Sequence, residues 1–204
     1  MPVQEEVIPF LLGDDNDVIA LAQTGTGKTA AFGLPILQKI DVTTYHPQAL
    51  VLCPTRELCL QIADDLNDYS KYIDNLKVLP VYGGSSIESQ IKTLKRGVHV
   101  VVATPGRLLD LMNRKTVDLS LVKNVIMDEA DEMLNMGFTD SINAILAEVP
   151  ENRNMLLFSA TMPKEIANIT KKYMKNPKEI VIGNKNEGNK NIRDIYYMVQ
   201  ARDK

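Results

Sequence analysis

An α/β fold with a doubly wound, mostly parallel sheet is what this 204-residue chain predicts, and three observations predict it. Short β-rich runs alternate with stretches of helical periodicity along the whole length. Several of the runs, such as Val18–Leu21 and Ala49–Cys53, are apolar without interruption, which suits parallel strands covered on both faces. The unusual short motifs each fall just after a run, where the carboxyl edge of an open parallel sheet would gather them.

In order, Pro2 and Gln4 open into a helix carrying Val7, Ile8, Phe10 and Leu11, and the run Val18–Leu21 follows. After a glycine-bearing loop comes an amphipathic helix with Ala30, Phe32, Leu34, Ile36 and Leu37 on its apolar side. Further strands are expected at Ala49–Cys53, Lys77–Val81, Val98–Ala103, Asn124–Met127, Met155–Ser159 and Glu179–Ile182. Helices are expected at Glu57–Tyr72, Gly106–Asn113, Asp140–Ala147 and Glu165–Met174. Residues 1–182 read as one domain. The stretch Gly183–Asn191 has no apolar residue and reads as linker, and Ile192–Val199 as a further strand. A linker feeding a strand suggests that the chain continues past Lys204, and its start also reads as cut.

Composition narrows the function. Hydrophobic residues at 45% and charged residues at 24% are ordinary for a globular protein. No apolar run is long enough to span a bilayer and no signal peptide opens the chain, so no membrane partner is expected. Cys53 and Cys59 form neither a metal set nor a disulfide framework and read as buried thiols in a reducing cytoplasm. His46 and His99 are too scattered for a metal site, and His99 reads as a satisfied strand residue. A net charge of −3 argues against nucleic-acid binding by bulk charge, so any such binding must rest on particular motifs.

The strongest motif is Ala22-Gln23-Thr24-Gly25-Thr26-Gly27-Lys28-Thr29. Strand, glycine loop and helix start, in that order, make a phosphate cradle: the glycines let N–H groups turn toward an anion and the helix N-terminus adds its positive end. In such loops the Lys reaches the β/γ-phosphates and the next hydroxyl holds Mg²⁺, which assigns those parts to Lys28 and Thr29. Ala22 departs from the general pattern, which has Gly there. The bland alternative is an ordinary strand-to-helix turn that carries a Lys.

Asn124-Val-Ile-Met-Asp128-Glu129 is an apolar strand ending in two carboxylates. Beside a phosphate loop, Asp128 suits a Mg²⁺-holding acid and Glu129 a group that orients or deprotonates attacking water. Asp131 reads equally well as a helix cap. Thr55 and Thr104 suit helix N-caps, with Pro105 at a first helical position. Each of these turns also offers helix-start N–H groups, and Arg56 and Arg107 add cationic forks that suit phosphate. With Gly83-Gly84, they would track several phosphates of one strand without reading its sequence.

Together, Ala22–Thr29, Pro54-Thr-Arg-Glu-Leu58, Gly83-Gly84, Thr104-Pro-Gly106-Arg107, Asp128-Glu-Ala-Asp131 and Ser159-Ala-Thr161 resemble the ordered motif set of DEAD-box RNA helicases. The Ala22 form of the loop is the one that family carries, and Pro2-Val-Gln4 resembles the end of its Q motif, whose glutamine reads the adenine edge. The resemblance implies a RecA-like first domain that binds ATP with Mg²⁺ through Gln4 and Ala22–Thr29. It implies a single-stranded or duplex RNA partner held by its backbone at Pro54, Thr55, Arg56, Gly83, Gly84, Thr104, Gly106 and Arg107. It further implies that Ser159 and Thr161 pair with the Asp128–Asp131 stretch and couple hydrolysis to domain closure. Two departures stand out: Met1 occupies a usual Thr position of the Q motif, and Cys59 stands where Ala is common.

No stretch resembles the family's second RecA-like domain, which supplies arginines to the ATP. An arginine finger is worth about 10³–10⁵ in rate. The chain alone is therefore expected to bind nucleotide, hydrolyse it slowly and unwind nothing, as a monomeric, cytoplasmic part of a longer protein. Residues 183–204 would lead toward that second domain. A nucleotide-dependent RNA-binding scaffold without catalysis is the alternative, and a P-loop ATPase that remodels DNA or protein is a further one.

Overall fold

The computed structural model describes residues 1–13, 17–23 and 25–182. Thr24 and the expected linker and strand in 183–204 lie outside these. Among the described residues the chain runs α1 (Pro2–Gly13), β1 (Val18–Leu21), α2 (Lys28–Gln38), β2 (Ala49–Leu52), α3 (Arg56–Tyr69), β3 (Val78–Val81), α4 (Ile87–Lys95) and β4 (Val100–Ala103). It continues through α5 (Pro105–Asn113), β5 (Asn124–Met127), α6 (Ala130–Asn135), α7 (Thr139–Glu148), β6 (Asn154–Ser159), α8 (Lys164–Tyr173) and β7 (Lys178–Val181).

The seven strands form one sheet in the order β3-β4-β2-β5-β6-β1-β7, and every pairing is parallel. Side chains alternate across each strand, which sorts the core into two layers. Leu50, Leu52, Val101, Val125, Met127 and Leu157 face one way and pack on α5, α6, α7 and α8 through Leu108, Leu111, Met133, Ile142 and Ile166. Val51, Val100, Val102, Ile126, Leu156 and Phe158 face the other way, onto α1, α2 and α3 through Val7, Phe32 and Ile62. The doubly wound parallel sheet is thus as expected.

The edges explain themselves. Proline cannot donate to a sheet ladder, and Pro80 sits in β3, at one edge. At the other edge β7 exposes Lys178 and Glu179, charges that discourage pairing with another sheet. The helix expected at Glu57–Tyr72 ends earlier, at Tyr69, where Ser70 donates its N–H to Leu66 O at 3.0 Å. His99 lies just before β4, buried and satisfied: its Nδ1 accepts from Lys77 N–H at 3.0 Å and its Nε2 faces Val42 O at 3.2 Å. Cys53 and Cys59 are both buried free thiols.

Candidate functional site

The strand order brings the motifs together in a way that chain order conceals. Along the carboxyl edge, from β3 to β1, they run Gly83-Gly84, Thr104–Arg107, Pro54–Arg56, Asp128–Asp131, Ser159–Thr161 and Ala22–Thr29. The three turns read as backbone-binding are neighbours on β3, β4 and β2. The three read as nucleotide-handling are neighbours on β5, β6 and β1.

On the β1 side, Gly25 and Gly27 take left-handed φ values of 78° and 79°, which only glycine adopts without strain. Thr26 Oγ1 donates to Gln23 O at 2.8 Å and closes the loop. Gln4 Nε2 donates to Gly27 O at 3.2 Å, so α1 lies directly over the loop. A Cβ on Gly27 would come within 2.5 Å of Met1 Sδ and 2.6 Å of Gln4 Nε2. Glycine is required there by conformation and by contact alike. Lys28 and Thr29 are the first two residues of α2, where unpaired N–H groups and the helix dipole favour an anion.

Lys28 Nζ lies 3.4 Å from Asp128 Oδ1, and both side chains are buried. Burial pushes the Asp128 carboxyl up, against the pull of Lys28. Removing an ion pair from water is costly, and a phosphate with its divalent cation would give each partner a better-matched neighbour. Glu129 follows in the left-handed region, at φ 51° and ψ 51°, and makes no capping bond to α6. For a residue with a Cβ that conformation costs about 1–2 kcal/mol, and such strain collects at functional sites. Burial, then the neighbouring Asp128, raises the Glu129 carboxyl above its ordinary value. A raised acid suits proton transfer near neutrality.

Asp131 is not a helix cap. Its Oδ2 accepts from Thr161 N at 3.0 Å and from Thr161 Oγ1 at 2.8 Å. Ser159 Oγ accepts from Asp131 N at 3.3 Å and donates to Thr161 O at 2.7 Å. Burial alone would push the Asp131 carboxyl up, but the bonds from Thr161 and the Ser159–Ala160 segment outweigh it and hold it low. The ends of β5 and β6 are thereby latched. Ala22 N–H donates to Ser159 O at 3.0 Å, which ties the latch to the phosphate loop.

The donor set fits a magnesium nucleotide. Mg²⁺ is held by one or two carboxylates plus phosphates and water rather than by an all-protein cage. Asp128 and the Thr29 hydroxyl supply that much, and among the described residues no group of three or more His, Cys, Asp or Glu side chains gathers to hold a metal.

On the β2 side, Thr55 caps α3 by accepting from Leu58 N–H at 3.2 Å, and Pro54 is buried beneath it. Arg56 is exposed, with its guanidinium 5.0 Å from the Tyr82 ring centre. Thr104 precedes α5 but makes no side-chain cap bond, which leaves its hydroxyl available to a ligand. Gly106 and Gly83 have open space where a Cβ would stand, and Gly84 takes φ 83°. Arg107 differs from Arg56. Its NH1 turns inward and donates to Ser85 O at 3.1 Å and Gln90 Oε1 at 3.2 Å. Tyr82, Ser85 and Gln90 are members of this edge that motif reading missed. The available signal was Gln90 itself, a polar residue on the helical stripe of Ile87, Ile91 and Leu94.

A glycine cradle at a helix start, a buried Lys–Asp pair and an acid on a parallel strand's end make the arrangement of a P-loop domain on a RecA-like sheet. The DEAD/DEAH box helicase profile matches residues 1–169, and the chain belongs to that family. It is 51% identical, over 98% of its length and 35% of the relative's, to the ATP-dependent RNA helicase DeaD of Mycobacterium tuberculosis. It is 48% identical, over 100% of its length and 38% of the relative's, to the DEAD-box ATP-dependent RNA helicase CshA of Bacillus cereus. The chain therefore spans about a third of the length of the curated relatives it matches. Among solved structures, a DEAD box protein from Methanococcus jannaschii superposes with a TM-score of 0.84 at 46% identity, covering 88% of this chain and 49% of that one. A hypothetical ATP-dependent RNA helicase from Sulfolobus tokodaii gives 0.80 at 44%, covering 89% and 52%.

Proposed function

We propose that this chain is the ATP-binding half of an RNA helicase motor. It binds ATP with Mg²⁺ on the β1–β5–β6 part of the carboxyl edge and the backbone of single-stranded RNA on the β2–β3–β4 part. The observation that carries the reading is the partition of that edge, with the Lys28–Asp128 pair at 3.4 Å on one side and the turns after β2, β3 and β4 on the other.

The chain's own residues then have definite tasks. Gly25 and Gly27 turn the loop so that its N–H groups receive the phosphate oxygens, and Lys28 adds a full positive charge. Gln4, already bonded to Gly27, lies at the edge of the cradle and suits the adenine ring. Mg²⁺, once bound at Thr29 and Asp128, would neutralise charge on the β/γ-phosphates. Glu129 accepts the proton of the attacking water or orients it, helped by burial and the neighbouring Asp128, which make its carboxylate more basic than usual. The Asp131–Ser159–Thr161 latch passes the state of β5 to β6 and from there to whatever domain closes over the edge.

The turns at Thr55, Thr104 and Gly83-Gly84 offer N–H groups to phosphates, with Arg56 as the exposed cation. Such contacts position RNA without reading its sequence. A second RecA-like domain would complete both halves, so rapid hydrolysis and unwinding belong to the longer protein. A non-catalytic scaffold is disfavoured, because Lys28, Thr29, Asp128 and Glu129 are all in place.

The test is ATP turnover with and without single-stranded RNA, on this chain and on a protein extended by a second RecA-like domain. The chain alone is expected to stay slow, and the extended protein to gain about 10³-fold or more with RNA but not with DNA. Fast RNA-stimulated turnover or unwinding by the chain alone would contradict the reading.

A further inference from the structure

The one buried side chain of α4 is a glutamine. Ile87, Ile91 and Leu94 of the same helix are only partly covered, whereas Gln90 is 6% exposed. A buried amide must be satisfied, and this one is satisfied by the candidate RNA edge. Arg107 can only donate, so the oxygen of Gln90 must face it and the amide nitrogen must face the other way. Gln90 Nε2 accordingly donates to Tyr82 O at 3.1 Å and to Ser85 Oγ at 2.6 Å. Gln90 Oε1 accepts from Arg107 NH1, which also holds Ser85 O.

Those partners bracket the glycine turn: Tyr82 immediately precedes Gly83 and Ser85 immediately follows Gly84. Arg107 belongs to the start of α5, after Thr104. The Tyr82 ring in turn carries the Arg56 guanidinium, and a Cβ on Gly84 would lie 3.6 Å from Arg56 NH1. One buried amide therefore links the ends of β3 and β4 directly, and the end of β2 through Tyr82.

We propose that Gln90 is a positioning residue for polynucleotide binding. It fixes the spacing of the Gly83-Gly84 turn against the Thr104–Arg107 helix start, so that both meet phosphates of one strand at once. Arg107 shares this role through its NH1, and Arg56 is the more exposed cation of the three turns. The proposal rests on the RNA reading of this edge.

The test measures binding of a fluorescent uridine oligomer in the presence of Mg²⁺ and a non-hydrolysable ATP analogue, for Gln90→Met, Gln90→Glu and Arg56→Ala. Binding of a fluorescent nucleotide is measured in parallel. Met keeps the shape but has no donor and only a weak acceptor, and is expected to weaken RNA about tenfold while leaving nucleotide affinity unchanged. Glu keeps the acceptor for Arg107 and is expected to restore part of the loss. Unchanged RNA binding in Gln90→Met beside a loss in Arg56→Ala overturns this proposal alone. Equal losses of RNA and nucleotide binding overturn it as well, since they mark a general structural role. If neither Gln90→Met nor Arg56→Ala weakens RNA, the RNA reading falls and this proposal with it. Should Gln90→Met fail to fold, Gln90→Glu decides, with a selective RNA defect expected and an absent or unselective one contradicting.

Discussion

The two edges of the sheet hold comparable numbers of buried polar groups and treat them in opposite ways. At the amino edge Asp17, Gln48 and His99 are committed to the chain itself, and only Arg153 Nε is buried there without a partner among the described residues. The Asp17 carboxylate accepts Met155 N–H at 2.6 Å and Lys175 N–H at 2.5 Å, which ties β1 to β6 and to the segment entering β7. Gln48 donates to Asp41 O at 2.8 Å and Thr44 O at 3.0 Å and accepts Asp41 N–H at 2.9 Å. Burial lowers the pKa of His99, which keeps it neutral between Lys77 and Val42. At the carboxyl edge, Asp128 and Glu129 are instead held above their ordinary pKa, Glu129 is strained, Thr104 caps nothing with its side chain, and two glycine turns stand open. The carboxyl edge thus mixes satisfied groups, Asp131, Ser159 and Gln90, with groups the chain leaves incompletely partnered, and the proposed ligand contacts fall on the latter. Concavity alone does not make the distinction. A cleft of about 290 Å³ between Tyr45, Pro47, Leu94, Arg96 and Thr116 lies on the amino edge, away from Lys28.

If that contrast is right, mutations at the two edges report in different assays. The largest stability effect is expected from Asp17→Ala, which strands two buried N–H donors. A loss of about 3–5 kcal/mol in chemical denaturation is expected, with nucleotide affinity of the folded fraction unchanged. A smaller loss that came with weakened nucleotide binding would blur the two edges. Lys28→Ala is expected to report in the other assay. Nucleotide affinity, read by titration calorimetry, should fall by about 2–3 kcal/mol, and the stability lost by leaving Asp128 unpaired is limited because its burial-raised carboxyl takes up a proton more readily once Lys28 is gone.

Glu129→Gln in the two-domain protein sharpens the contrast further. Hydrolysis is expected to fall about 10²–10⁴-fold, with nucleotide still bound. The sign of its stability effect follows from the raised pKa. The folded state holds the Glu129 proton more tightly than the unfolded chain, so ionising it costs stability as pH rises through the unfolded value of about 4.3. Gln avoids that cost, and its melting temperature at pH 7 is expected to equal or exceed the parent's. Asp131 carries the opposite sign, because its pKa is lowered on folding. Its contribution is present above the ordinary carboxylate value of about 3.9 and disappears as pH falls through the folded value. The smallest effect expected is that of Thr161→Val, about 0.5–1.5 kcal/mol at pH 7 and less in acid.

Most of the fold was legible because the strands announce themselves. The runs at Val18 and Ala49 are apolar throughout, β1 and β5 have the expected bounds, and the ends of the other strands differ from expectation by a residue or two. The motifs were legible for the same reason, since each follows a run. Strand order was not. It depends on long-range pairing that no local pattern encodes, so the sorting of the six motifs into two halves emerged only with the sheet. Arg107 shows the limit at one side chain: its type suited phosphate, yet the partner that turns its NH1 inward sits seventeen residues earlier, on a helix the apolar pattern did not single out. For Asp131 local sequence leaves a helix cap open, and only the family resemblance points to its partner Thr161, thirty residues on.

The partition of the carboxyl edge is the central claim, and amide chemical-shift mapping tests it most directly. Magnesium with an ATP analogue is expected to shift residues 22–29 and 128–131, and a uridine oligomer added afterwards to shift 54–56, 83–85 and 104–107, with 48, 99 and 175 unmoved by either. Shifts from both ligands on the same turns, or on the amino edge, would contradict it.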